Sequence, residues 1–326
     1  MVIGAARRLV LMLLVLAVAT FLSFVFFWQH DLPLKGQPVL PAYSHWLKGL
    51  FTGSSYRSML LPNASLWQTQ FRPAIGHTAA LLLVATAFVV PASLLFAWVA
   101  ARRRDGVVDL ALRGTSYVAW AIPAFLLALL IAFAAAKLGN GNGLGPFPTR
   151  GWPGVCLPGF GLNFGFIPGC PPAGSGLTYV WNVFRYLTLP GIALAAGFLG
   201  LHVRHLRAGV IDTLDAPFVT TARSKGLSET RILFRHVLKI AMSAFVSGLL
   251  ADVGAIFGAA LAVDVVFGLN GLGTLLVAEF PINSFAPIDV YSVQLLLIVT
   301  GGFVLLSGVA ADLVVATLDP PLRKDA

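Results

Sequence analysis

The sequence predicts an all-α integral membrane protein with about six transmembrane helices. Of its 326 residues, 58% are hydrophobic and 11% are charged, and the mean hydropathy is +0.86. So few charges cannot supply the polar surface that a water-soluble domain of this length needs. The apolar residues also occur in runs of about 20, the length that crosses a bilayer as helix. Because these runs are continuous rather than alternating, they favour helices over a β-barrel.

Six apolar runs define the predicted spans. The first run follows Arg7 and Arg8, is longer than the hydrophobic region of a usual signal peptide, and lacks a small-residue cleavage site after it. We therefore expect it to be retained as an anchor. Three of the runs contain a proline, which a span tolerates when neighbouring helices satisfy the freed carbonyl. The predicted spans cover residues 9–28, 78–101, 117–137, 186–203, 240–263 and 290–315.

The runs predict a single transmembrane domain, residues 1–326, over the whole chain. Residues 1–77 hold the first span and an extracytoplasmic segment, residues 78–317 form the core bundle, and residues 318–326 form a cytoplasmic tail. A long loop over residues 139–179 is rich in Gly and Pro and is predicted to lie outside. With no soluble domain expected, every segment outside the bilayer is a loop or a terminus.

The basic residues predict the orientation. Lys and Arg are enriched in cytoplasmic loops next to membrane spans. Of the 22 basic residues, 15 fall in the segments that lie on the same side of the membrane as the N-terminus, and 7 fall in the segments on the opposite side. This pattern places both termini in the cytoplasm and the chain in the cytoplasmic (inner) membrane as a multi-pass protein. It also explains the net charge of +9. The basic residues form no stripe interleaved with aromatics, so nucleic-acid binding is not expected.

The predicted cytoplasmic loop 204–239 contains the most informative segment. Asp215 is a favourable N-cap, Pro217 suits a first helical turn, and Gly226 suits a helix end. The helix predicted over 216–225 would be too short to be stable alone. A short capped helix with apolar anchors indicates docking into a groove on another protein. A solvated connector is the alternative interpretation.

Residues 215–236, DAPFVTTARSKGLSETRILFRH, resemble the coupling loop of ABC importer permeases of the dipeptide, oligopeptide and nickel group. The resemblance continues, in the order of that family, at residues 45–53, 186–209, 262–273 and 311–323. Such ordered co-occurrence is more specific than any single motif. It implies the fold of a type I ABC importer permease.

The resemblance also implies a set of partners. In that family the short loop helix contacts the ATPase subunit, so docking on the ATPase is expected of Phe218, Thr221, Ala222, Arg223, Lys225 and Gly226. Arg223 and Lys225 are expected to contact the ATPase surface, with Ala222 and Gly226 permitting close approach. The resemblance further implies two ABC ATPase subunits, a second homologous permease and an extracytoplasmic solute-binding protein, beside membrane lipid.

The expected function is that of a pore-forming subunit that translocates peptides across the cytoplasmic membrane. The sequence contains no Gly-Lys-Ser/Thr of a P-loop, so ATP and Mg²⁺ are expected on the partner ATPases, and no cofactor is expected in this chain. Nickel or another small solute is the alternative cargo. Two other functions are the alternatives. An ion-coupled secondary transporter should show inverted repeats, and a membrane-embedded enzyme should show a catalytic motif within the spans.

Three further residues are singled out by their positions. Asp252 lies near the middle of the fifth predicted span, where a charge costs at least about 2.5 kcal/mol unless it faces water or a partner. It could line the solute path and bind a peptide ammonium group; a structural hydrogen bond or protonation is the alternative. Cys156 and Cys170 share one outer loop, and a disulfide between them is predicted, with free thiols as the alternative. No catalytic or metal site is expected.

Overall fold

The computed structural model describes residues 2–30, 38–52, 65–102, 106–139, 144–154, 174–279 and 290–318. Helices make up nearly all of these ranges, which confirms the predicted all-α class. Single π-helical turns at Trp67–Phe71 and Leu233–Val237 precede the third and ninth helices. The helices are α1 Val2–His30, α2 Val39–Thr52, α3 Arg72–Arg102, α4 Val107–Ala121, α5 Ala124–Leu138, α6 Gly176–Leu214, α7 Pro217–Ser224, α8 Glu229–Ile232, α9 Leu238–Ala251, α10 Val253–Phe267, α11 Leu272–Glu279 and α12 Val290–Leu318.

Five helical segments are long and apolar enough to cross a membrane by themselves: Val10–Trp28, Trp67–Val99, Gly176–Leu214, Glu229–Ala251 and Val290–Ala311. Two further pairs pass the same test only as bent pairs: α4 with α5, bent by 99°, and α10 with α11, bent by 72°. The described residues therefore supply between five and seven candidate spans, a range that contains the six predicted.

The third predicted span, 117–137, is not one helix. Its first residues belong to α4, and the chain turns sharply at Ile122 and Pro123 before α5 begins. Proline has no N–H to donate and disfavours helical backbone in the residue before it, and Ile122 is accordingly extended at φ −89° and ψ 123°. Pro123 is thus the N-cap of α5 and does not lie inside a continuous helix, as the prediction of one span required.

The fifth predicted span, 240–263, is interrupted at Asp252, which separates α9 from α10. The helical hydrogen bonding nevertheless passes through this residue. Its N–H donates to the carbonyl of Gly248 at 3.1 Å, and its carbonyl accepts from Ile256 at 2.9 Å. Both bonds join residues four apart, as in an α-helix, so the hydrogen-bond ladder of α9 continues into α10. With α9 and α10 counted as one span, the bent pair α4–α5 as one and α11 as none, these two and the helices α1, α3, α6 and α12 make six spans.

The core of the bundle is built around α6, which packs against α3, α4, α5, α9 and α10. Close approach depends on small residues. A Cβ added at Gly197 would lie 3.0 Å from the Cβ of Ala124, and one added at Gly191 would lie 2.7 Å from Val84. At 39 residues α6 is about 58 Å long, well beyond the hydrocarbon thickness. It therefore carries the chain out of the bilayer and into α7.

The turn between α10 and α11 is held by Asp264, whose side chain is buried. Its carboxylate accepts hydrogen bonds from the N–H of Gly271 at 3.0 Å, the N–H of Thr274 at 2.9 Å and the hydroxyl of Thr274 at 2.9 Å. The hydroxyl of Thr78 on α3 accepts from the N–H of Leu272 at 2.9 Å. These bonds satisfy the donors at the start of α11, so Asp264 acts as a structural brace.

Candidate coupling site

The chain turns from α6 into α7 within two residues. Asp215 ends α6, and its N–H donates to the carbonyl of Ile211 at 3.2 Å. Ala216, with an extended ψ of 145°, is the N-cap of α7, and Pro217 occupies the first helical position. The predicted short helix is present, but the N-cap expected at Asp215 was placed one residue too early. The fixed φ of Pro217 suits the first turn of α7. Proline also disfavours helical backbone in the residue before it, which keeps Ala216 extended between α6 and α7.

The C-terminal end of α7 closes through a left-handed residue at Gly226, whose φ is +76°. The N–H of Gly226 donates to the carbonyl of Arg223 at 2.9 Å, and the N–H of Leu227 donates to Ala222 at 3.3 Å. This pair of bonds is the Schellman arrangement, which favours glycine at the left-handed position. A Cβ at Gly226 would meet nothing within 4 Å in this chain, so backbone conformation is what requires glycine here.

One face of α7 is buried against its own chain. Val219 is fully buried and Ala222 nearly so, in a cluster with Leu206 and Val210 of α6 and with residues that lead into α9. In this chain the small side chain of Ala222 packs in the cluster that seats α7 on the bundle. Its predicted role in close approach of a partner stays a prediction. The same buried cluster contains residues of both α6 and α9, so α7 shares its apolar contacts with these two helices.

Other residues of α7 and its C-terminal turn are exposed. Phe218 retains 42% of its accessible surface, although it directly precedes the buried Val219. Thr221, Lys225 and Gly226 are exposed as well. With Arg223, five of the six predicted contact residues are therefore accessible, and we refer to these five as the exposed face of α7.

Arg223 is exposed but already has a partner in this chain. Its guanidinium donates to both oxygens of the Glu229 carboxylate, at 2.7 Å and 3.1 Å. This hydrogen bond raises the pKa of Arg223, with smaller contributions from the charges of Glu229 and Asp215. The fork joins the end of α7 to the start of α8 and fixes the loop between them. A partner that contacts Arg223 must therefore share it with Glu229.

Asp252 is half-buried at the junction of α9 and α10. In the neighbouring α6, His202 is fully buried, and neither of its ring nitrogens has a hydrogen-bond partner among the described residues. The ring of His202 also contacts Phe245 edge-on, with centroids 5.9 Å apart. The predicted role of Asp252 in the solute path stays a prediction.

Two other predictions concern the cysteines and metal binding. Cys156 and Cys170 lie outside the described residues, so the disulfide stays a prediction. In the described part of the chain, no group of three or more His, Cys, Asp or Glu side chains could hold a metal ion.

The most strongly bonded charges near this site were missed in the sequence. Arg207 of α6 donates from Nε to Asp109 Oδ1 at 2.8 Å and from an Nη to Oδ2 at 2.6 Å. Sequence reasoning counted Arg207 only toward membrane orientation and gave Asp109 no role. One sequence feature could have drawn attention to Asp109: Arg113 follows it by one helical turn, and the two side chains pair at 3.5 Å.

Comparison with known proteins places these features in a family. Residues 90–324, well over half of the chain, match the family described as "Binding-protein-dependent transport system inner membrane component". The chain belongs to this family. It is therefore an inner-membrane permease component of an ABC transport system, a transport subunit rather than an enzyme. The matched range includes α7 and its exposed face.

Similar curated proteins agree with the family. The oligopeptide transport system permease protein OppB of Mycobacterium bovis is 25% identical over 296 residues, which cover 90% of this chain and 83% of that protein. A putative peptide transport system permease protein of Brucella abortus is 29% identical, covering 89% of this chain and 82% of its own length. The oligopeptide permease AppB of Bacillus subtilis is 24% identical, covering 88% and 81%.

Proposed function

We propose that this permease forms half of the pore of an ATP-driven importer for peptides. The similar permeases are named for oligopeptide or peptide transport and align along nearly all of this chain, which supports the peptide assignment. The other half of the pore is a second homologous permease. An extracytoplasmic solute-binding protein delivers the peptide, and both termini of this chain lie in the cytoplasm.

The exposed face of α7 docks on a separate ATPase subunit, and two such subunits hold the ATP and Mg²⁺. The observation that carries this proposal is the two-sided character of α7: Val219 anchors it to the bundle while Phe218 remains accessible. Closure of the nucleotide-bound ATPases moves α7. Because α7, α6 and α9 contribute to one buried cluster, the movement passes into the spans and opens or closes the pore.

Neighbouring substitutions on α7 test this assignment. In a complex reconstituted in liposomes with its ATPases, Phe218→Ala should lower ATP-dependent peptide uptake by roughly 5- to 30-fold, as expected for loss of an interface anchor. The permease alone should keep its thermal stability. Val219→Ala, the matched buried variant, should instead destabilise the permease by about 2 kcal/mol. Equal uptake in Phe218→Ala and wild-type complexes would contradict docking through this face.

The cargo is tested separately. Peptides of defined length and nickel are offered to the same liposomes with the solute-binding protein present. ATP-dependent accumulation of peptide supports the proposal, and accumulation of nickel alone contradicts it. If the Asp252 carboxylate binds the N-terminal ammonium group of the peptide, Asp252→Asn should reduce uptake of a peptide with a free N-terminus more than uptake of its N-acetylated form. Equal losses for both peptides would leave Asp252 a structural role.

A further inference from the structure

A polar contact between α4 and α6 supplies an inference beyond the coupling helix. The carboxylate of Asp109 is buried, and both of its oxygens accept from the guanidinium of Arg207. Arg113, on α4 itself, is a second cationic group beside Asp109, at 3.5 Å. A bidentate pair such as Asp109–Arg207 fixes the relative orientation of the two helices as well as their separation. Separating α4 from α6 would break both hydrogen bonds of this pair and leave the buried carboxylate with the longer contact to Arg113 in their place.

A second contact holds the same two helices together. The guanidinium of Arg204, one turn before Arg207, lies over the rings of Tyr117 and Trp120 at 4.7 Å and 5.0 Å from their centroids. Between the two contacts the backbones touch: a Cβ added at Gly200 would overlap the carbonyl oxygen of Ser116. The α4–α6 contact is therefore close along most of α4.

The residues that α4 buries against the bundle are polar. They are Asp109 and Ser116, whereas Leu110 and Val118 are exposed. This arrangement suits a membrane helix, whose polar residues face the bundle interior. No α4 residue belongs to the buried apolar clusters of the described residues, so the charged and aromatic contacts are the ones that join α4 to α6.

We propose that the Asp109–Arg207 pair is a permanent latch that makes α4 move with α6 throughout the transport cycle. Arg207 lies on the part of α6 that leads into α7, and α4 leads through the Pro123 bend into α5. The latch therefore extends a displacement of α7 from α6 to the α4–α5 pair. Asp109 and Arg207 are positioning residues, which act through helix geometry and not by touching the peptide. This inference rests on the proposed coupling role of α7.

The first test measures peptide uptake per ATP hydrolysed by fully assembled complexes in liposomes. Asp109→Asn and Arg207→Gln should each lower this ratio by roughly 2- to 30-fold, the range for substitutions that alter coupling between distant sites. The double variant should lose no more than either single variant, because the two residues act as one unit. A merely structural role would reduce the yield of assembled complex and leave the ratio at the wild-type value, which would overturn the proposal.

A second variant perturbs the contact without changing any charge. Gly200→Ala should push α4 away from α6 and lower the same ratio, because its methyl group has no room beside Ser116. Gly114→Ala on α4 is the matched control, since a Cβ there meets nothing within 4 Å, and it should transport normally. Equal ratios for the two variants would contradict a required α4–α6 contact.

Cross-linking tests whether the latch stays closed. Asp109 and Arg207 are both replaced by Cys, with Cys156 and Cys170 replaced by Ser, and the complex is treated with a short bifunctional thiol reagent. Bridged complexes should transport at least as well as complexes treated with a monofunctional reagent of the same size. Loss of transport on bridging, restored by cleaving the bridge, would show that α4 must separate from α6 and would overturn the proposal.

The two proposals fail in different ways. If α7 does not couple to an ATPase, Phe218→Ala complexes will keep the wild-type uptake per ATP, and the cross-linking result will still decide whether α4 and α6 stay together. If only the latch is wrong, Phe218→Ala will impair uptake while Asp109→Asn will not.

Discussion

Gly226 is the residue at which two physical explanations for a glycine can be separated. Its φ of +76° strains any residue with a Cβ, whereas close approach to a partner would penalise side-chain size. Asn tolerates the left-handed conformation better than Ala although it is larger. On the backbone explanation, Gly226→Ala should destabilise the end of α7 by about 1 kcal/mol and Gly226→Asn by less.

Uptake and ATP hydrolysis in the reconstituted complex distinguish these explanations. If backbone strain dominates, Gly226→Ala complexes will be more impaired than Gly226→Asn complexes. The reverse order would show that the ATPase approaches the backbone at Gly226 closely. Gly226→Trp, which is both strained and bulky, should uncouple hydrolysis from uptake in either case; unchanged transport by that variant would contradict a role for Gly226 in coupling.

Asp264 carries a prediction about stability. Asp264→Ala leaves the N–H groups of Gly271 and Thr274 and the hydroxyl of Thr274 without their acceptor. Unsatisfied buried donors cost about 1 to 3 kcal/mol each, so the variant should lose at least about 3 kcal/mol. Thermal unfolding of the detergent-solubilised permease measures this loss. Asp212→Ala, which removes an exposed carboxylate near the end of α6, should be within about 0.5 kcal/mol of the wild type.

At the scale of helices, the sequence predicted which elements exist better than where they bend. The ends of α7 follow from Pro217 and Gly226, since these residues act through their own backbone restrictions. The bend at Pro123 was not predicted, because hydropathy averages composition over a window and contains no information on the direction of the helix axis. The same proline signal at Pro91 and Pro190 does not end α3 or α6, so local chemistry alone does not decide the outcome.

Which side chains of α7 are buried could not be predicted from the sequence either. An eight-residue helix contains apolar residues on neighbouring turns, and which of them faces the bundle depends on where α6 and α9 lie. Phe218 was predicted as a docking residue, but nothing in the sequence shows that its neighbour Val219 is the one buried against the bundle. The Asp109–Arg207 pair joins residues 98 positions apart and could be found only from the fold.

At the scale of the whole molecule, the span count decides the topology. Six crossings, with α9–α10 and the bent pair α4–α5 each counted as one span and α11 as none, put the two termini on the same side. A reporter that fluoresces only in the cytoplasm should therefore be bright when fused to either terminus. A periplasm-dependent reporter should be active when inserted in the loop 139–179. Opposite signals from the two termini would require an odd number of crossings and would contradict this topology.

The whole account depends on α7 meeting a separate ATPase, and site-specific photo-cross-linking tests this most directly. A photoreactive amino acid at position 218 is activated in native membranes, and the adducts are identified by mass spectrometry. The account predicts an adduct between this permease and a nucleotide-hydrolysing subunit from position 218, and far less of it from the buried position 219. An absence of such an adduct at position 218, in membranes that support ATP-dependent uptake, would contradict it.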